Sequence, residues 1–123
     1  MQWLAVALGG AIGAMARFAV NGWLYPVYEH KFPLGTLAVN VLGSFLMGVA
    51  YIVIIERGLI HPEWRNILMV GFLGAFTTFS TFSLDALSLW QNGHPLEALL
   101  YVVLSLVLCL AGASLAIVLT RLI

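Results

Sequence analysis

Charge is what this sequence has least of: charged residues make up 8% of its 123 positions, against about 25% in an ordinary soluble domain. So few charges do not coat a globule of this size, so the chain reads as one whose solvent is lipid. Its formal net charge is zero, and it has no basic patch of the kind a nucleic-acid binder displays. With Cys109 as its one cysteine, it has no intrachain disulfide, and the simplest reading of that thiol is a small apolar residue in a helix. The first residues, Met1-Gln2-Trp3, lack the basic opening of a secretory signal, so the first apolar stretch is expected to be retained as a helix. His30, His61 and His94 stand in separate connectors without metal-ligand spacing. No nucleophile with its base, phosphate loop or redox motif is visible, and an enzyme is not expected.

What the sequence has is apolar length. Hydrophobic residues make up 63% of it. A helix crossing the hydrocarbon needs ~20 apolar residues, and four such spans use roughly 80 to 90 residues, leaving little for anything else. They are expected at about 3–20, 34–55, 67–89 and 96–119. Asn21-Gly22-Trp23 with Pro26, then Glu56-Arg57-Gly58, then Gln91-Asn92-Gly93-His94-Pro95 supply the Gly and Pro punctuation between them. The expectation is a single all-α integral membrane domain over 1–123. Trp3, Trp23, Tyr25, Trp64 and Trp90 fall near span ends, where aromatic belts sit. Small residues recur four apart, as in Gly9/Gly13, Ser44/Gly48 and Gly112/Ala116, a pattern that lets helix backbones approach in lipid.

Orientation is weakly specified. Arg57, Arg65 and Arg121 share one side; Lys31, with Arg17 near the end of the first span, lies on the other. Positive charge sets topology through its bias, and this bias is small. Copies inserted both ways and paired antiparallel are one consequence.

Polar residues inside spans are expensive and invite a functional reading. Asn40 serves either as helix-to-helix glue or as part of a pathway. Thr77-Thr78-Phe79-Ser80-Thr81-Phe82-Ser83 is far more specific. A hydroxyl cluster this dense bonds back to the backbone and bends or breaks a helix, and Gly71 and Gly74 just before it ease a break. The third helix is therefore expected to be broken near mid-membrane, where irregular backbone is tolerated only if protein buries it or water lines it. Freed carbonyls there suit a cation, and hydroxyls suit an anion. Phe79 and Phe82, three apart, share a helix face; they either pack an interface or turn their positive ring edges toward an anion. Tyr101, Ser105 and Cys109 form a thin polar stripe on the fourth span, from local hydroxyl bonding or as a continuation of a polar track. Arg17 anchors or caps, or attracts anions to a vestibule. Glu29, Glu56, Glu63, Asp85 and Glu97 read as connector or span-end charges.

Three pieces, Gly9-Gly10-Ala11-Ile12-Gly13-Ala14 with Arg17, Gly35-Thr36-Leu37-Ala38-Val39-Asn40, and the run from Gly71-Phe72-Leu73-Gly74 through Ser83, resemble in order and spacing the Fluc, or CrcB, family of bacterial fluoride channels. The resemblance implies a multi-pass protein of the bacterial inner membrane that passively exports toxic fluoride. It implies an antiparallel, dual-topology homodimer with two pores and a structural sodium ion at the centre. By position, the sodium would be held by the backbone carbonyls of Gly74 and Thr77. The fluoride pathway would comprise Asn40, Phe79, Ser80, Thr81, Phe82, Ser83, Tyr101 and Ser105. Cys109 stands where similar proteins tend to carry a hydroxyl. Two rival readings remain. A small dual-topology antiporter needs a titratable carboxylate in a span, and the first span has none. A structural membrane subunit leaves the hydroxyl and phenylalanine cluster unexplained.

Overall fold

A computed structural model describes residues 1–24 and 32–123. The expected anchor Tyr25, the stop at Pro26, and the connector charges Glu29, His30 and Lys31 lie outside the described residues. Four helical stretches are long and apolar enough to cross a membrane: Gln2–Leu24, Leu34–Glu56, Arg65–Gln91 and Pro95–Leu122. We number the helices α1 (Gln2–Leu24), α2 (Leu34–Glu56, its last turns Tyr51–Glu56 in π geometry), α3 (65–76, with Arg65–Leu73 in π geometry), α4 (Phe79–Gln91) and α5 (Pro95–Leu122). The third stretch, Arg65–Gln91, comprises the segments α3 and α4.

Each expected span is present and runs longer than expected, the second by a single residue. The largest difference is at α1, where Asn21-Gly22-Trp23 continue the helix to Leu24. The Asn21 amide donates to the Arg17 carbonyl at 3.1 Å, so a residue expected to end the helix bonds within it. The turn after α4 follows its sequence signature. Gly93 takes φ +83°, a conformation open to glycine at little cost. The His94 and Gly93 N–H groups donate back to Leu89 (2.8 Å) and Trp90 (3.3 Å), closing a Schellman motif. Pro95 then opens α5, where its missing N–H is no loss.

Lipid gives helices no hydrophobic reason to associate, so close packing holds them together. α1 lies on α3 and α2 on α5. A β-carbon at Gly9 or Gly13 would collide with the carbonyls of Ile67 and Phe72, and one at Gly71 would come within 3.0 Å of the Val6 carbonyl. A β-carbon at Gly48 would lie 2.7 Å from the Ala113 carbonyl. These glycines are backbone-to-backbone contacts, the outcome the small-residue rows foretell. Trp3, Trp23, Trp64 and Trp90 are exposed near helix ends, as belt residues are. At one end of the bundle, Arg121 grips Glu56 with two nitrogens (2.7 and 3.0 Å), and Arg57 donates to the Arg121 carbonyl at 2.8 Å. This ties the ends of α2 and α5 together.

Candidate functional site

The site is built around two residues. Thr77 (φ −87°, ψ 161°) and Thr78 (φ −154°, ψ 118°) have extended backbone between the helical segments. Extended geometry leaves helical donors and acceptors without their usual mates, and the surroundings replace them. Asn40 of α2 takes Thr78 from both sides: its Nδ2 donates to the Thr78 carbonyl at 3.0 Å, and its Oδ1 accepts the Thr78 N–H at 2.8 Å. Thr78 Oγ1 caps α4 by accepting the Thr81 N–H at 3.2 Å. Thr77 donates twice to the Leu73 carbonyl, through its N–H (3.1 Å) and its hydroxyl (3.0 Å).

Arg17 reaches across from α1 and donates through Nε to the Ala75 carbonyl at 3.0 Å. A cation there complements the negative C-terminal end of a helix. The helix end that Arg17 meets is that of α3 rather than its own.

Two carbonyls lose their helical donors in this exchange. The donor four residues after Gly74 is the Thr78 N–H, which goes to Asn40; the donor four after Thr77 is the Thr81 N–H, which goes to Thr78 Oγ1. Gly74 is itself exposed.

Beside the interruption lies a cleft of about 340 Å³ between α2, α4 and α5, lined by Asn40, Gly43, Ser44 and Met47, by Thr77, Thr78, Phe79 and Phe82, and by Ser105, Leu106, Cys109 and Ala113. The structure therefore brings together Asn40, both phenylalanines and two members of the α5 stripe. The two rings are 5.3 Å apart and inclined at 44°, but their settings differ. Phe79 is 73% exposed; Phe82 is 8% exposed and packs with Leu89, Ala98 and Tyr101. Ser105 is buried, and its hydroxyl has no hydrogen-bond partner among the described residues. Such an atom is costly unless something outside the chain meets it.

The other expected residues stand outside the cleft lining. Ser80 is exposed, with its hydroxyl 3.5 Å from that of Thr78; Ser83 donates to its own helix at the Phe79 carbonyl, 3.0 Å away; Thr81 is partly buried. Tyr101 is fully buried, with ring contacts to Phe82 (5.2 Å) and Phe32 (5.5 Å). Its hydroxyl donates to Asp85 Oδ2 at 3.2 Å. Asp85 is the residue that sequence reasoning passed over. It is no connector charge, being well inside α4. A lone carboxylate in an otherwise uncharged stretch from 66 to 96 was the available signal.

These features define a class, a multi-pass membrane helix bundle with a polar cleft beside the extended residues Thr77 and Thr78. Residues 4–117 match the family described as CrcB-like protein, Camphor Resistance (CrcB), and the chain belongs to that family. It is similar over 119 residues, at 58% identity, to the fluoride-specific ion channel FluC of Saccharophagus degradans, covering 97% of this chain and 89% of that one. Channels of the same name from Hahella chejuensis (54% identical; 96% and 93% covered) and Magnetococcus marinus (47% identical; both chains covered in full) are similar as well.

Proposed function

We propose that this chain is a passive fluoride channel of the bacterial inner membrane, letting toxic fluoride leave the cytoplasm. The observation that carries the reading is likeness to fluoride-specific channels over nearly the full length of both chains. The assembled form is an antiparallel homodimer with two anion paths, its helix interruption near mid-membrane.

The chemistry of the cleft supports the reading. It offers an anion neutral groups: the ring edges of Phe79 and Phe82, the amide of Asn40 and the hydroxyl of Ser105, which has no partner among the described residues. Ring edges attract negative charge weakly, and weak binding lets an ion leave as readily as it enters. The hydroxyls of Ser80, Thr81 and Ser83 with the Tyr101 phenol extend the path beyond the cleft. Asn40 keeps one amide proton beyond its bond to Thr78.

A sodium ion fits the donors present. The carbonyls of Gly74 and Thr77, whose helical donors are engaged elsewhere, are hard, neutral oxygens of the kind that hold alkali cations at interrupted membrane helices. They would hold the ion from both copies, and bound there it supplies a fixed positive charge at the centre of the dimer.

The test is fluoride efflux from liposomes holding the purified protein, with chloride run in parallel. Fast efflux of fluoride and little of chloride, unaffected by a pH gradient, is the expected result. Asp85 gives a second reading its footing, since a carboxylate inside a span suits a proton-coupled exchanger. Efflux that stops when the pH gradient is removed would favour that exchanger. No efflux of either ion from a folded protein would leave a structural subunit.

A further inference from the structure

We infer that the cleft also carries a site for a soft, thiophilic cation of the copper(I) or silver(I) class, held between Cys109 Sγ of α5 and Met47 Sδ of α2. The two residues line the same cleft from facing helices, and they supply the sulfur atoms of its lining. The helices are pressed together at that level. A β-carbon at Gly48, next to Met47, would lie 2.7 Å from the carbonyl of Ala113, one turn beyond Cys109. Methionine is unbranched and adjusts its thioether to irregular space. Thiolate and thioether are the soft ligands that select monovalent copper over hard or borderline ions. Among the described residues, no group of three His, Cys, Asp or Glu is placed to hold a metal.

A second observation points to a ligand in the same place. Ser105, one turn before Cys109, is 5% exposed, lines the cleft and has a hydroxyl without a partner among the described residues. A water or anion carried on the metal finds a hydrogen-bond partner there. On binding, the Cys109 thiol gives its proton to water and forms the sulfur–metal bond, while Met47 donates a lone pair. Binding itself does not depend on what the channel conducts. Its consequence does: under the fluoride reading, a cation lodged among Asn40, Phe82 and Ser105 obstructs the anion path.

Silver nitrate added to the purified, chloride-free protein, with 2-mercaptoethanol as a competing monothiol, tests the pair by native mass spectrometry. One silver per chain is expected, held about tenfold more tightly than by the competitor. M47L should fall to the competitor's level, and C109S should retain none. Wild-type binding no tighter than the monothiol, or M47L binding as wild type does, would overturn the two-sulfur site. In liposomes, silver should slow wild-type fluoride efflux relative to its own metal-free rate and leave C109S at its own rate. Bound silver without slowing would overturn the obstruction. Absent efflux in every sample would sink the channel reading and leave the binding result standing.

Discussion

At the scale of single residues, the interruption depends on a side chain that does the work of a missing helical turn. Asn40 bonds both the N–H and the carbonyl of Thr78. Replacing it with Leu leaves two polar groups unmet, at about 1–3 kcal/mol each when buried. Asn40→Leu should lower the unfolding midpoint in detergent and abolish fluoride efflux together, whereas Asn40→Gln, still an amide, should recover part of both. Full stability in Asn40→Leu would remove Asn40 from its supporting role. The two phenylalanines separate differently. Phe79, exposed, should tolerate Ile within about 0.5 kcal/mol while losing efflux. Phe82 sits in the cluster with Tyr101, so Phe82→Ile should lose efflux and also about 0.5–1.5 kcal/mol of ring contact. Unchanged efflux in Phe79→Ile would take that ring out of the path. The sequence reveals that these residues matter because polar atoms in lipid are rare. It leaves Asn40 between glue and pathway, since an amide's partners depend on which helix lies opposite. It sets both rings on one face without revealing that α5 covers only the second.

At the scale of elements, small residues decide where helices and the interruption sit. A β-carbon at Gly43 of α2 would collide with Cγ2 of Thr77, so the absence of a side chain at 43 holds the extended segment in place. Gly43→Ala should destabilise the protein and impair efflux. Thr77→Ser alone removes a methyl group and should cost little. The two together should restore much of what Gly43→Ala loses, giving a coupling of about 0.5–3 kcal/mol in a double-mutant cycle of detergent unfolding. Simple additivity would mean that the contact does not hold the segment. Along α1, Gly13→Ala meets the Phe72 backbone, whereas at Gly10 the nearest neighbour is the Gly71 carbonyl at an ordinary 3.9 Å. Gly13→Ala should therefore reduce the yield of folded protein, and Gly10→Ala should not. The spans are legible in the sequence because apolar length records them directly. The end of α1 is not, because the Asn21 amide bonds back to the Arg17 carbonyl within the helix instead of ending it. The position of Asp85 was equally open to sequence reading. Its nearness to the expected span end makes it read as a span-end charge, although a carboxylate within a span is costly.

At the scale of the whole molecule, the question is which way each copy faces. Arg57 follows the end of α2, Arg65 opens α3 and Arg121 lies in the last turn of α5, whereas Arg17 reaches to the Ala75 carbonyl. Topology is set by lysine and arginine close to the span ends, and acidic partners such as Glu56 offset them little. With Arg17 withdrawn, the contest is those three arginines against Lys31, a margin that one or two substitutions should reverse. Antiparallel assembly from one kind of chain requires both orientations in comparable amounts. A reporter cysteine at exposed Glu63, in a Cys109→Ser background, should react with a membrane-impermeant maleimide in intact cells for about half of the chains, and in the remainder only after lysis. Adding Arg57→Gln and Arg65→Gln should move the split, with more of the 63 loop facing outward. Absent labelling in intact cells would mean that the three arginines already fix one orientation, and complete labelling that something other than their charge does; in either case a dimer of opposed identical copies would have no source for its second half.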